Sequence, residues 1–160
     1  ETGGTLFDKL AEAGAKLLVE TLPHIFDGTA VYEKQPEESP TPYAGMITKQ
    51  MGLINFGKSA EELERLVRGL NPWPSAFTFW NGKTLKVWES FVVKSEEAGA
   101  EKPEPGTVVK TDKKGIYVAC GEDVLVLSQV QLEGKKRMDA DAFLRGCHIE
   151  TGSRFTDKKE

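Results

Sequence analysis

The sequence is 160 residues long, 39% hydrophobic and 29% charged, with 21 Lys+Arg against 25 Asp+Glu and a formal charge of −4. That size suits one ordinary domain, or a small domain with an appendage, and the composition excludes collagen-like, wholly disordered and disulfide-framework chains. No apolar run approaches the ~20 residues of a membrane span, no basic-then-apolar leader opens the chain, and two cysteines suit a reducing compartment, so a cytoplasmic protein without a disulfide or a membrane partner is expected.

In chain order, Leu6, Phe7, Leu10, Leu17, Leu18, Leu22 and Ile25 recur at helical spacing and predict a helix over 5–26, capped by Thr5 with Asp8 as its capping-box partner. Its apolar stripe needs a partner, and the opening Glu1-Thr2-Gly3, without an initiator Met, leads us to expect a portion of a longer chain. A short strand is expected at 30–33, then a proline-rich extended connector at 35–43, a short helix over 43–50 and a strand-like 53–56. The next helix is sharply marked: Ser59 caps it, Glu62 completes the box, Leu63, Leu66, Val67 and Leu70 form its stripe, and Asn71-Pro72 stops it. Pro72-Trp73-Pro74 then makes a rigid corner.

From residue 76 the pattern becomes β-rich. Strands are expected at 76–80, 84–93, 107–111, 116–120 and 124–132, joined by turns at Asn81-Gly82, Lys113-Lys114-Gly115 and Gly121-Glu122-Asp123. The charged stretch 94–106 reads as an excursion between strands, a last helix is expected over 139–145 capped by Asp139, and the tail 156–160 is expected to fray. Short antiparallel strands closed by turns, with helices around them, predict an α+β fold built on a small OB-like barrel.

The catalytic inventory is thin. His24 and His148 have no nucleophile and orienting group beside them in sequence, two Cys and two His without paired spacing make no zinc ligand set, and Glu61, Glu62 and Glu64 suit the dipole and hydration of a helix start. Neither a catalytic nor a metal site is expected. Thr2-Gly3-Gly4-Thr5 reads as a turn feeding a capped helix more readily than as an anion cradle.

Charge is more informative once located. Residues 1–39 carry 8 acids and 3 bases, whereas 40–160 carry 17 acids and 18 bases, and 95–105 alone holds four of those acids. The barrel is therefore mildly basic, through Lys83, Lys86, Lys110, Lys113, Lys114, Lys135, Lys136 and Arg137, and the aromatics Phe77, Phe79, Trp80, Trp88 and Tyr117 lie among these bases. Clustered cations with interleaved rings suit nucleic-acid phosphates and bases, although core packing is the commoner use of such rings.

Thr2-Gly3-Gly4-Thr5-Leu6 with Lys9-Leu10, Gly14-Ala15 and Leu17-Leu18, ending at Leu22…Gly28, resembles the last helix of the catalytic domain of methionyl-tRNA formyltransferases. Pro42-Tyr43-Ala44…Ile47-Thr48-Lys49 with Ile54-Asn55-Phe56 is similar to that family's linker. Arg68-Gly69-Leu70-Asn71-Pro72-Trp73-Pro74 resembles its proline-tryptophan corner, and Gly134-Lys135-Lys136-Arg137-Met138 with Phe143-Leu144-Arg145-Gly146 and Gly152…Phe155 resembles its C-terminal signature. The linker departs from the family where Met46 replaces a usual lysine and Asn55-Phe56 a usual Asp-Trp.

The resemblance implies 1–28 as the final helix of a truncated Rossmann-like catalytic domain, 29–58 as linker, 59–155 as the OB-like barrel and 156–160 as tail. It implies a parent enzyme that transfers a formyl group from 10-formyltetrahydrofolate to methionyl initiator tRNA. This portion would bind no cofactor and catalyse nothing itself. It would grip tRNA through Lys49, Lys83, Lys86, Lys110, Lys113, Lys114, Lys135, Lys136 and Arg137. The barrel of another formyltransferase, acting on an amino sugar or handling folate, and a free-standing RNA-binding OB-like module are the alternative expectations.

Overall fold

A computed structural model describes residues 1–99 and 103–158. Its first element, α1 (Gly3–Phe26), starts earlier than periodicity suggests. Thr2, not Thr5, is the cap: its hydroxyl accepts from the Thr5 N–H at 3.2 Å, while the Thr5 hydroxyl accepts from the Thr2 N–H at 2.9 Å. Thr5 thus replaces Asp8 as the box partner, because Gly3 and Gly4 enter the helix. Pro23 is accommodated inside the last turn, where its carbonyl accepts from the Asp27 N–H at 2.9 Å.

Residues 30–33 form no strand, since no described neighbour offers them a paired edge, and Val31 and Tyr32 stand exposed. The helix expected over 43–50 is reduced to a single 3₁₀ turn at Lys49–Gly52. Gly45 and the β-branched Ile47 and Thr48 explain its absence upstream. The strand expected at 53–56 is reduced to one parallel bridge, Leu53 to Phe77, with the Ile54 N–H donating to the Phe77 carbonyl at 2.8 Å.

α2 (Ala60–Gly69) follows the sequence expectation closely. Ser59 Oγ accepts from the Glu62 N–H and Glu62 Oε2 accepts from the Ser59 N–H, each at 3.3 Å. Leu63 and Val67 are buried on its inner face. Glu61–Arg65 and Glu64–Arg68 pair along the outer face, and Asn71 and Pro72 turn the chain into the sheet.

Six antiparallel strands follow: β1 (Ala76–Trp80), β2 (Lys83–Val93), β3 (Val108–Asp112), β4 (Gly115–Ala119), β5 (Val124–Leu132) and β6 (Met138–Asp139). Asn81 and Gly82, with φ of 48° and 68°, form the two-residue turn that pairs Trp80 with Lys83. The order is β1-β2-β5-β4-β3, and the short β6, not foreseen in sequence, pairs β5 beyond the end of β4. α3 (Ala140–Gly146) then starts at Asp139, whose side chain makes no capping bond and instead accepts from Gln129 Nε2 at 3.0 Å.

The sheet curls, and residues 152–156 close it. Val108 exchanges backbone hydrogen bonds with Gly152 and Ser153, each 2.8 Å, and Phe79 exchanges two with Thr156, at 3.1 and 3.0 Å. The C-terminal segment therefore bridges β3 to β1, so fraying from residue 156 is not what the structure has; Thr156 is anchored. Residues 159–160 and, in the expected excursion, 100–102 lie outside the described residues. The core comprises the inward-facing Leu85, Val87, Ile116, Val118, Leu125 and Leu127 of the sheet, roofed by α2 and Phe143, with Phe56 and Phe155 stacked at 6.2 Å beside it.

Candidate nucleic-acid interface

Alternation along β2 and β5 sends Leu85, Val87, Val130 and Leu132 inward and Lys86, Trp88 and Gln131 outward. A register irregularity between Val87 and Glu89 leaves Trp88 without a directly paired partner on β5. Its indole N–H donates to Gln131 Oε1 at 3.1 Å, and its backbone carbonyl accepts from Asn71 Nδ2 at 2.9 Å. Both ends of the residue are thereby held.

Two cations converge on this ring. The Arg137 guanidinium lies 4.8 Å and the Lys86 ammonium 5.7 Å from its centroid. Arg137 is steered further by Glu89 Oε1, 3.1 Å from Nη2, and by Gln129, which accepts from Nε. Gln131 Nε2 donates to the Lys135 carbonyl at 3.0 Å, tying the Lys135-Lys136 segment to the same patch. Lys83 and Lys86 run beside the end of β5, where the Glu133 N–H donates to the Thr84 carbonyl at 2.8 Å. Lys83, Lys86, Lys135, Lys136 and Arg137, far apart in sequence, thus occupy one end of the sheet.

The antiparallel register directs the β3–β4 turn, which carries Lys113 and Lys114, toward that same end. Lys110 is placed differently. Its ammonium sits 2.9 Å from Asp112 Oδ2 and 4.8 Å from the Tyr117 ring centroid, and Tyr117 donates to the same carboxylate at 3.1 Å. Burial pulls the Asp112 carboxyl upward, but hydrogen bonds from Lys110, the Lys114 N–H and Tyr117 outweigh it and hold the group below its ordinary value. Lys49 lies on the 3₁₀ turn. Among the described residues, Lys49, Lys83, Lys113, Lys114, Lys135 and Lys136 are within salt-bridge distance of no carboxylate, so their charges face solvent.

The aromatics divide between core and surface. Trp80 meets Phe143 edge-on at 6.2 Å, and Phe77 and Phe79 pack on each other at 5.7 Å. Tyr117 is buried under Val93, Val109 and Ala98 and carries Lys110, whereas Trp88 is the ring on which two cations converge. Gln129, Gln131 and Glu89, which organise this patch, were not singled out in sequence; the alternation of β5 places Gln131 outward, but the irregularity that brings Glu89 beside Arg137 leaves no pattern.

The cleft lined by Ile54, Asn55, Phe56, Arg154, Phe155 and Asp157 encloses about 420 Å³, but Arg154 is spoken for by Glu104 at 2.6 Å. His24 Nδ1 lies 2.9 Å from the Thr29 hydroxyl, and His148 is exposed beside Glu150. No group of three or more His, Cys, Asp or Glu among the described residues gathers at metal-holding distance, and no described helix is long and apolar enough to cross a membrane.

Residues 46–148 match the family described as formyl transferase, C-terminal domain. The chain belongs to that family. Over 156 residues it is 54% identical to a methionyl-tRNA formyltransferase of Agathobacter rectalis, covering 98% of this chain and 49% of that protein. It is 48% identical over 150 residues to the methionyl-tRNA formyltransferase of Bacillus subtilis, covering 93% of this chain and 46% of the relative. The formyl transferase C-terminal chain thus spans about half the length of the curated relatives it matches. Among solved structures, a variant of HypX from Aquifex aeolicus superposes with a TM-score of 0.56 at 13% identity, over 84% of this chain and 24% of that one. HypX in complex with tetrahydrofolic acid gives 0.55, at 13% identity over 81% of this chain and 22% of that one. These neighbours share the fold.

Proposed function

We propose that this chain is the tRNA-gripping C-terminal portion of a methionyl-tRNA formyltransferase. The observation that carries the reading is the convergence of Lys86 and Arg137 on Trp88, beside the solvent-facing Lys83, Lys135 and Lys136. Cations held on one ring, with Lys83, Lys135 and Lys136 beside them free of ion-pair partners among the described residues, suit the regular phosphates of a nucleic-acid backbone. The Arg137–Glu89 pair is exposed, and a phosphate exchanges for the carboxylate at small cost.

In the longer protein, a preceding Rossmann-like catalytic domain packs on the apolar stripe of α1, residues 29–58 act as linker and 59–155 as the gripping barrel. That preceding domain binds 10-formyltetrahydrofolate and transfers its formyl group to the amino group of methionyl initiator tRNA, in the cytoplasm. This portion contributes affinity and no reacting group. The exposed Leu10, Leu17 and Leu18 of α1 support the packing, because an apolar stripe of this kind is stable in water only when covered.

Charge reversal at Lys135, Lys136 and Arg137 in the full-length protein tests the reading. A rise in KM for methionyl-tRNA with kcat near the parent value is expected. A loss confined to kcat contradicts a gripping role. Assay with an amino-sugar nucleotide as acceptor separates the other formyltransferase reading: turnover of that acceptor and not of methionyl-tRNA overturns the assignment.

A further inference from the structure

α1 meets the barrel through its first turn alone among its described contacts, and it does so at backbone distance. A Cβ on Gly3 would stand 2.3 Å from the Gly69 carbonyl oxygen, and one on Gly4 2.7 Å from Pro72 Cδ. Neither backbone nor proline ring can yield to such an approach, so only glycine fits at either position. The Gly4 N–H, the amide that would face an anion at a free helix start, instead donates to the Asn71 carbonyl at 2.8 Å. Arg68, held by Glu64 through Nε at 2.8 Å and Nη2 at 3.1 Å, turns Nη1 to the Glu1 carbonyl at 3.2 Å. Asn71 in turn donates to the carbonyl of Trp88, 2.9 Å away, so the contact is wired to the strand that carries the cation patch.

Beyond this turn α1 buries no residue. The helix is therefore a lever with one fixed end. Its 24 residues extend about 36 Å at ~1.5 Å per residue. A tilt of about 10° at the first turn moves the far end by roughly 6 Å over that length.

We propose that Gly3, Gly4, Arg68 and Asn71 form a positioning joint that sets the direction of α1 relative to the barrel and, in the longer protein, the placement of barrel-bound tRNA against the reacting centre. The second half of this statement rests on the function proposed above; the first half does not. The residues touch no substrate. They act by fixing where one body lies against the other, and a misplacement of ~1 Å at a reacting centre is enough to slow chemistry by up to ~100-fold.

The discriminating substitution is Gly3→Ala, with Gly14→Ala as control, because a Cβ on Gly14 meets open space. The propensity gain of alanine is fullest at Gly14, in mid-helix, so a turn of α1 seen with Gly3→Ala and not with Gly14→Ala reports the joint. The first readout is the direction of α1 relative to the barrel, from residual dipolar couplings of the 15N-labelled chain. Gly3→Ala is expected to turn α1 while Gly14→Ala leaves it in place, with the barrel's unfolding midpoint unchanged in both. Arg68→Gln, which removes the Glu1 contact without a clash, is expected to broaden the α1 orientation. An unchanged α1 direction in Gly3→Ala overturns the joint.

The second readout is formyl transfer by the full-length protein. Gly3→Ala is expected to lower kcat ~10-fold or more with KM for methionyl-tRNA unchanged, and Gly14→Ala to change neither. A turned α1 with unchanged kcat overturns the role in transfer and leaves the joint standing. Because the dipolar couplings involve no RNA, failure of the chain to bind tRNA is seen separately and counts against the proposed function, not against the joint.

Discussion

Arg137 reaches Trp88 from the connection between β5 and β6, more than forty residues away, and sets its guanidinium 4.8 Å from the centroid of the indole ring. The ring is fixed from both sides, by Gln131 on the indole nitrogen and Asn71 on the backbone, so the cation rests on a rigid support. A guanidinium so placed loses less side-chain entropy on meeting a phosphate than a free one.

That support predicts an ordering of variants. Arg137→Ala removes one of the proposed phosphate contacts and is expected to reduce the slope of log affinity against log salt by about one. Trp88→Leu keeps every charge but frees Lys86 and Arg137, so it is expected to weaken tRNA binding several-fold at an unchanged slope. Fluorescence anisotropy with labelled tRNA over a salt series separates the two; equal effects of Trp88→Leu and a distant surface substitution would show that the ring does not organise the cations.

Closure of the sheet by residues 152–156 makes a stability prediction. Phe155 is 3% exposed and stacked on Phe56, and its neighbour Thr156 pairs with Phe79. Phe155→Ala is expected to cost about 3–5 kcal/mol, as for other buried phenylalanines. Truncation after Thr151 is expected to lower the unfolding midpoint further, since it removes the bonds to both β3 and β1. Denaturant titration followed by tryptophan fluorescence measures both.

Two carboxylates of the barrel should contribute to its acid stability. The Lys94 hydrogen bond, outweighing partial burial, holds Asp123 below its ordinary value of 3.8, and Asp112 is held down in the manner described above. A carboxyl whose folded value is depressed contributes stability that is complete above its unfolded value and is lost as pH falls through the folded one. The unfolding midpoint is therefore expected to be level from neutral pH down to about 5 and to decline below about 4. Asp112→Asn and Asp123→Asn are each expected to flatten that decline, as read by thermal melts over the same range.

The two thiols should differ in reactivity. Burial pushes Cys120 up to about 12, so its thiolate is scarce at neutral pH, whereas Cys147 is half-buried near the surface. A thiol reagent is expected to label Cys147 in the native protein and Cys120 only with global unfolding, which mass spectrometry of the digested protein resolves.

The elements that the sequence foretold are those whose pattern is local. α2 carries its cap, box and stripe in consecutive residues, and Asn81-Gly82 dictates its own turn, so both are found where expected. α1 starts at Gly3 because Thr2 and Thr5 cap each other, whereas the close approach of Gly3 and Gly4 to Gly69 and Pro72 is one that no local pattern encodes. Val31 and Tyr32 have strand propensity, but a strand also needs an edge to pair with. The closure by Thr156 rests on isolated bridges, too short to leave a periodic trace. The basic residues were legible as a set; that Lys86 and Arg137 share one ring depends on the irregular register at Trp88, which only the folded sheet reveals.

The central claim, that the barrel grips tRNA through phosphates, is tested most directly by equilibrium binding of this chain to initiator tRNA across a salt series, beside a variant with Lys86, Lys135, Lys136 and Arg137 replaced by glutamine. Affinity is expected to fall linearly in log–log form for the parent chain, with a slope shallower by about three to four in the variant. Binding that is flat with salt, absent, or identical in the two proteins would contradict it.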